Sequence, residues 1–158
     1  MSRRLKLYHA TKQGGATSIL RDGFSLPDVS QEWHLGRGAY FHTSPAAVCR
    51  LYGPDLVAVE VDAKLLKPKC RVDHGTALYT FGHYLEDLPA KERRAHTRRQ
   101  HLLHYLGEAH TYAQAMLDAG CPVVWQDQGK GKQVVLYDER LLKRLKAVKA
   151  TCPAPKRG

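Results

Sequence analysis

A chain of 158 residues, 43% hydrophobic and 25% charged, has the length and balance of one domain that can bury a core without disulfides or a structural metal, and it holds no apolar run long enough to span a bilayer. Lys and Arg number 25 against 15 Asp and Glu, a formal charge of +10 that draws polyanions; nucleic acid, RNA or DNA, is the leading partner class, with simple solubility as the plain alternative. Cys49, Cys70, Cys121 and Cys152 form no C-x-x-C pair and follow no regular spacing; they read as reduced thiols and, with no apolar leader after the basic start, the expected setting is the cytoplasm, for a monomer without membrane contact.

Leu5-Lys6-Leu7-Tyr8 alternates as a short strand. Gly14-Gly15 breaks the chain before a short helix from Ala16 to Arg21, with Gly23 as its C-cap. Residues 25–38 carry Pro27, Gly36 and Gly38 among polar residues, a loop long enough to imply a task and expected to border the site. Ala39 to His42 reads as a strand, and Thr43 or Ser44 caps a helix that starts near Pro45 and runs to about Tyr52, where Gly53-Pro54 stops it. Leu56 to Val61 is a buried strand, followed by a Lys-rich link through Pro68. Leu88 to Ala119 is the main helical region, either two helices or one kinked at Pro89 or Gly107. Val123 to Trp125 and Gln133 to Tyr137 are strands joined by the polar loop Gln126 to Lys132, the pattern of a hairpin. Asp138 to Val148 reads as a last basic helix, and residues 151–158 as a flexible basic tail after a single domain of residues 1–150.

The order of the pieces carries more information than any one of them. A strand ends on His9-Ala10-Thr11; a helix, Gly23-Phe24 and a glycine-bearing loop follow; then come Gly36-Arg37-Gly38-Ala39-Tyr40-Phe41 and, near the end, Gln133-Val134-Val135-Leu136-Tyr137-Asp138. This order resembles the ADP-ribosyltransferase superfamily, in the branch shared by diphtheria-toxin-like and poly(ADP-ribose) polymerase catalytic domains, and the likeness spans nearly the whole chain. It implies an α+β fold in which two small, mostly antiparallel sheets form a split core with an NAD cleft and flanking helices. It further implies that His9 bonds a ribose hydroxyl of NAD, that the backbone at Ala10 and Thr11 holds the nicotinamide amide, that Tyr40 and Tyr52 stack on the nicotinamide, that Cys49 stands near a position usually held by a small hydroxyl residue, and that Arg37 reaches the phosphates. His74-Gly75-Thr76 matches an H-G-T motif more closely than His9-Ala10-Thr11, but it follows the Tyr40 strand and is not led by an alternating strand, so it reads as a decoy.

Gln133 departs from the resemblance, because polymerising relatives carry glutamate there. Glutamine donates and accepts hydrogen bonds but is no base. The expected activity is therefore transfer of a single ADP-ribose from NAD+ to a macromolecule, nucleic acid or protein, with release of nicotinamide. An enzyme lacking a base favours an acceptor already ionised, such as the terminal phosphate of a nucleic acid. Asp127 and, ranked below it, Asp138 are the fallback bases. NAD glycohydrolysis, transfer to a small molecule, and a catalytically silent module reading nucleic acid or ADP-ribose are the alternatives. Lys130 and Lys132, in the loop before Gln133, and Arg94 and Arg98, on a central helix beside aromatic residues, are candidate acceptor contacts. Gly129-Lys130-Gly131-Lys132 runs into a strand without Ser or Thr and is no Walker motif, and His101, His104 and Glu108 lack a metal signature, so no metal is expected.

Overall fold

The computed structural model describes residues 3–154. Strand β1 (Arg4–Thr11) lies antiparallel to β3 (Asp55–Asp62) along its whole length, from Arg4 opposite Asp62 to Thr11 opposite Asp55, and β3 carries β6 (Val148–Thr151) on its other edge. Strand β2 (Ala39–His42) pairs with β5 (Lys132–Leu136), and β5 forms the expected hairpin with β4 (Val123–Asp127). Every pairing between the strands is antiparallel, and the order is β4-β5-β2-β1-β3-β6. The two expected sheets are thus one six-stranded sheet. Its two halves, however, meet at a single residue pair, Tyr8 opposite His42. Beyond that pair the strands part, because the imidazole Nδ1 of His9 takes the carbonyl of Tyr40 at 2.8 Å. A side chain occupies the place of a backbone rung.

Helix α1 (Gly15–Asp22) ends where Gly23, at φ 81°, turns its N–H back to the carbonyl of Ile19. At its start the N–H groups of Gly14 and Ala16 donate to Asp55 Oδ2, so that end is already neutralised. Helix α2 (Pro45–Tyr52) has Pro45 in its first turn and the hydroxyl of Ser44 accepting from the N–H of Ala47. The middle of the chain forms α3 (Phe81–Asp87), α4 (Ala90–Ala95) and α5 (Arg98–Asp118), the last opened by a capping box of Thr97 and Gln100. The break falls at Thr97, and α5 runs unbroken through Gly107, which is exposed. Asp138 caps α6 (Glu139–Arg144). The expected helix from Asp138 to Val148 is therefore shorter, because Val148 to Thr151 leave it to pair with β3. The expected tail is corrected likewise: Thr151 belongs to β6, while residues 155–158 lie outside the described residues.

Strand alternation sends Leu7, Phe41, Val57, Val59, Val61, Val134 and Leu136 to one face, where they pack with Ala16 and Ile19 of α1 and Leu142 of α6. On the other face Val124, Val135 and Tyr137 meet Leu35 and, from α5, Ala113 and Met116. A third cluster, Trp33, Phe81, Tyr105 and Ala109, fastens the loop of residues 25–38 to α3 and α5. The glycines of the Gly36-Arg37-Gly38 motif serve close approach. A Cβ on Gly36, at φ 89°, would stand 2.7 Å from the Tyr112 ring and 3.1 Å from the backbone of Ala113, and one on Gly38 would stand 2.5 Å from Val135.

The cysteines are paired, which corrects the reading of four reduced thiols. Cys49 of α2 is bonded to Cys152 just past β6, with Cα atoms 5.9 Å apart, and Cys70 is bonded to Cys121 at the entry to β4, with Cα atoms 5.6 Å apart. Sequence separations of 103 and 51 residues carry no local spacing signature; only the sheet order brings the partners together.

Candidate active site

The parting of β1 and β2 opens a cavity of about 430 Å³, within the roughly 300–1,000 Å³ usual for small-molecule sites. His9 and Ala10 of β1, Ala39, Tyr40 and Phe41 of β2, Val48 and Tyr52 of α2, and Gln133 of β5 all line it. The loop expected to border the site contributes Ser25, Pro27, Ser30, Glu32, Trp33 and Gly38. His9, Ala10, Tyr40, Tyr52 and Gln133, drawn from positions up to 124 apart in the chain, thereby share one cavity.

Each of these groups is held in one chemical state. Burial lowers the pKa of His9, so its ring is neutral at neutral pH; Nδ1–H donates to the Tyr40 carbonyl, which leaves Nε2 as an acceptor. The ring of His9 sits edge-on to Phe24, 5.7 Å between centroids, and 5.6 Å from Phe41. The Tyr40 hydroxyl donates to the carbonyl of Gly36 at 2.6 Å and accepts from the N–H of Leu35 at 2.9 Å, and burial holds its pKa far above the usual phenol range. Its oxygen is therefore committed to the loop, and its ring is what the cavity receives. Tyr52 is 40% exposed and stands at the rim; burial and, after it, the charge of Glu32 raise its pKa.

Gln133 belongs to a polar row that crosses three strands. His42, Gln133 and Gln126 are register partners on β2, β5 and β4, and they are 5%, 7% and 3% exposed, a depth that demands hydrogen bonds. Ser44 N–H donates to His42 Nδ1, His42 Nε2 donates to Gln128 Oε1, and Gln128 Nε2 donates to the side-chain oxygens of Gln133, at 3.1 Å, and Gln126, at 3.3 Å. From the other side His34 Nε2 donates to Gln133 Oε1 at 2.7 Å. The amide oxygen of Gln133 is thus held from behind twice over, while its nitrogen, which has no hydrogen-bond partner among the described residues, is the group left for a ligand.

Other expected site residues lie elsewhere. Cys49 is closed in its cystine and cannot stand in for a hydroxyl. Arg37 does not line the cavity; it ties down the loop by donating to the carbonyl of Pro27 at 3.2 Å and pairing with Asp28 at 3.7 Å. Thr11 packs its side chain against Gly15, where a Cβ would come within 2.3 Å of its hydroxyl. Neither fallback base reaches the cavity: Asp127 accepts from Gly129 N–H to build the hairpin turn, and Asp138 caps α6 and pairs with Arg140. Lys132 has its ammonium 5.5 Å from the Trp125 ring, Lys130 is exposed on the hairpin loop, Arg94 is exposed on α4, and Arg98 stacks over Phe81 at 5.1 Å; none lines the cavity. His74 is exposed on a short 3₁₀ turn away from it. His101 donates to the carbonyl of Arg93, and His104 pairs with Glu108.

The cavity's charges come from carboxylates that sequence reasoning did not single out. Asp22 and Glu32 line it, with no Lys or Arg among the described lining residues. Asp22 is neutralised by Arg21 at 2.9 Å, whereas the carboxylate of Glu32 has no ion pair or hydrogen bond among the described residues. His34 and the Gln126–Gln128–His42 set were missed as well. The unusual length of the loop was the one available signal for Glu32 and His34, and it does not point to individual residues. The chain matches no family model, no curated protein and no solved structure. Among the described residues, no helix is long and apolar enough to cross a membrane.

Proposed function

We propose that the cavity receives the nicotinamide–ribose end of NAD+ and that the protein transfers one ADP-ribose unit to a macromolecular acceptor, releasing nicotinamide. The convergence of His9, Ala10, Tyr40, Tyr52 and Gln133 on a single opening between two half-sheets carries this reading. Charge supports it too. A pyridinium ring is cationic, and the lining offers aromatic faces, a neutral imidazole and carboxylates, with no Lys or Arg to oppose it.

In this reading Nε2 of His9 accepts from a ribose hydroxyl, the ring of Tyr40 forms a wall for nicotinamide, and the amide nitrogen of Gln133 donates to the ribose. The parted edge of β1 at Ala10 offers backbone groups to the carboxamide. Heterolysis of the glycosidic bond asks mainly for orientation and an environment that favours positive charge on the sugar, which a fixed polar row and carboxylates supply. The basic exterior, with Lys130, Arg94 and Arg98 exposed or at the surface, suits a polyanionic acceptor such as RNA or DNA. A cytoplasmic setting inferred from reduced thiols loses that support, since all four thiols are paired.

Nicotinamide release by the purified protein tests this, measured alone and with single-stranded RNA or DNA, and with His9→Ala and Tyr40→Ala as controls. Release is expected from the wild type and only background from both variants. A wild type that binds no NAD+ and releases no nicotinamide with any acceptor would refute the reading.

A further inference from the structure

We infer that Glu32 is the base of this site and that the attacking group is consequently a neutral hydroxyl, of water or of an alcohol, rather than an anion. This rests on the NAD reading above.

Three observations carry it. Glu32 lines the same cavity as His9, Tyr40 and Gln133, the residues assigned to the ribose and the nicotinamide. Its carboxylate is the uncompensated one: Asp22, the other carboxylate of the lining, is taken by Arg21, and neither Lys nor Arg lies among the described lining residues to attract an anionic acceptor. Its backbone is also fixed. Phe81 N–H donates to the carbonyl of Gln31 on one side, at 2.8 Å, and Trp33 is buried at 2% exposure on the other. The carbonyl of Glu32 itself accepts from the N–H of His34, at 3.0 Å, and the ring of His34 continues to Gln133 Oε1. One imidazole thus couples the place of Glu32 to the place of Gln133. The carboxylate that the last strand lacks is supplied from the loop, at the mouth of the cavity where an acceptor enters, near Tyr52.

The step balances without a further reactant. The bond between C1′ and the pyridinium nitrogen breaks, and its electron pair goes to that nitrogen, so nicotinamide leaves neutral. A lone pair of the acceptor oxygen forms the new bond to C1′, and the hydroxyl proton passes to the Glu32 carboxylate and then to solvent. Water gives ADP-ribose, and an alcohol gives the alkyl ADP-riboside.

A base is needed by water or methanol but not by azide, which is already anionic. Wild type and Glu32→Gln are compared for nicotinamide release and for product mass in buffer, in buffer with methanol, and in buffer with sodium azide. Loss of the base is expected to slow formation of ADP-ribose and of the methyl riboside about a hundredfold more than it slows formation of the azide adduct. Glu32→Ala should regain hydrolysis with added formate. Equal slowing in all three arms, or slowing in none, overturns the proposal while leaving the NAD reading intact. A wild type inert in every arm overturns both. Glu32 is exposed, so a matched thermal midpoint in the variants is expected and checks that their fold is unchanged.

Discussion

The two halves of the sheet solve the same packing problem with different materials. In β1–β3–β6 the inward positions are aliphatic, Leu7, Val57, Val59 and Val61 on one face and Leu56 on the other, and their packing comes from burial of apolar surface. In β2–β5–β4 one face carries His42, Gln133 and Gln126 side by side and nearly inaccessible, and its order comes from a chain of directed hydrogen bonds. A polar row of this kind adds less stability than aliphatic packing, and in exchange it fixes the orientation of Gln133 at the cavity. Cost falls in the half that presents Tyr40 and Gln133 to the cavity.

That contrast is tested most severely by separating stability from activity. Leu7→Ala, at 1% exposure in the aliphatic half, should lower unfolding free energy by about 2–5 kcal/mol in denaturant titration while the protein still folded keeps its specific rate of nicotinamide release. Comparable loss of specific activity in Leu7→Ala would mean that the two halves are not separable in function.

Each half also has its own cystine, Cys49–Cys152 beside β6 and Cys70–Cys121 at the entry to β4. Replacing either pair by serine should cost about 2–4 kcal/mol. The first closes roughly twice the length of chain and should cost about 0.6 kcal/mol more. Thermal melts of the two double variants, each with and without dithiothreitol, measure this; a reductant that shifts neither the wild type nor the variants would refute the pairing.

The two halves were unequally legible in the sequence, for the same physical reason. Alternation in Leu56 to Val61, the apolar run Val123 to Trp125, and glycine or proline at helix ends report local geometry, so β1 to β5 and α1 and α2 could be read directly. His9, Tyr40 and Gln133 could be nominated from their order along the chain. What could not be read were the long-range closures. The sheet order decides which cysteines meet; the short β6 is a strand only because β3 has a free edge beside it; and Glu32 reaches the cavity, and His34 reaches Gln133, because Trp33, between them, is buried against Phe81 and Tyr105. Arg37 shows the converse, a residue nominated by its place in a motif whose side chain is used up locally on Pro27 and Asp28.

Within the polar half the decisive substitution is Gln133→Leu. Shape is roughly kept, but the N–H donors of His34 and Gln128 lose their acceptor, at about 1–3 kcal/mol. Nicotinamide release should fall to background although the protein remains folded at 25 °C, the reverse of the pattern expected for Leu7→Ala. A variant with wild-type activity would show that the row is structural only.

The smallest effect should be in pH. Burial lowers the pKa of both His42, in the polar half, and His9, at the parting of the strands, from an ordinary value of 6.5. The unfolded chain takes up these protons near 6.5 and the folded chain only at lower pH. Between the two values the unfolded state holds more protons, so stability is full above 6.5 and is lost as the pH falls from there through the folded-state pKa. Thermal midpoints measured downward from pH 7.5 should therefore decline below about 6.5, and His42→Asn should decline less steeply than the wild type, because it has removed one of the two groups. Protonating His9 also removes the lone pair at Nε2 assigned to the ribose, so nicotinamide release should fall over the same interval in His42→Asn as in the wild type. Equal slopes in stability for the two proteins would mean that the fold does not lower the pKa of His42.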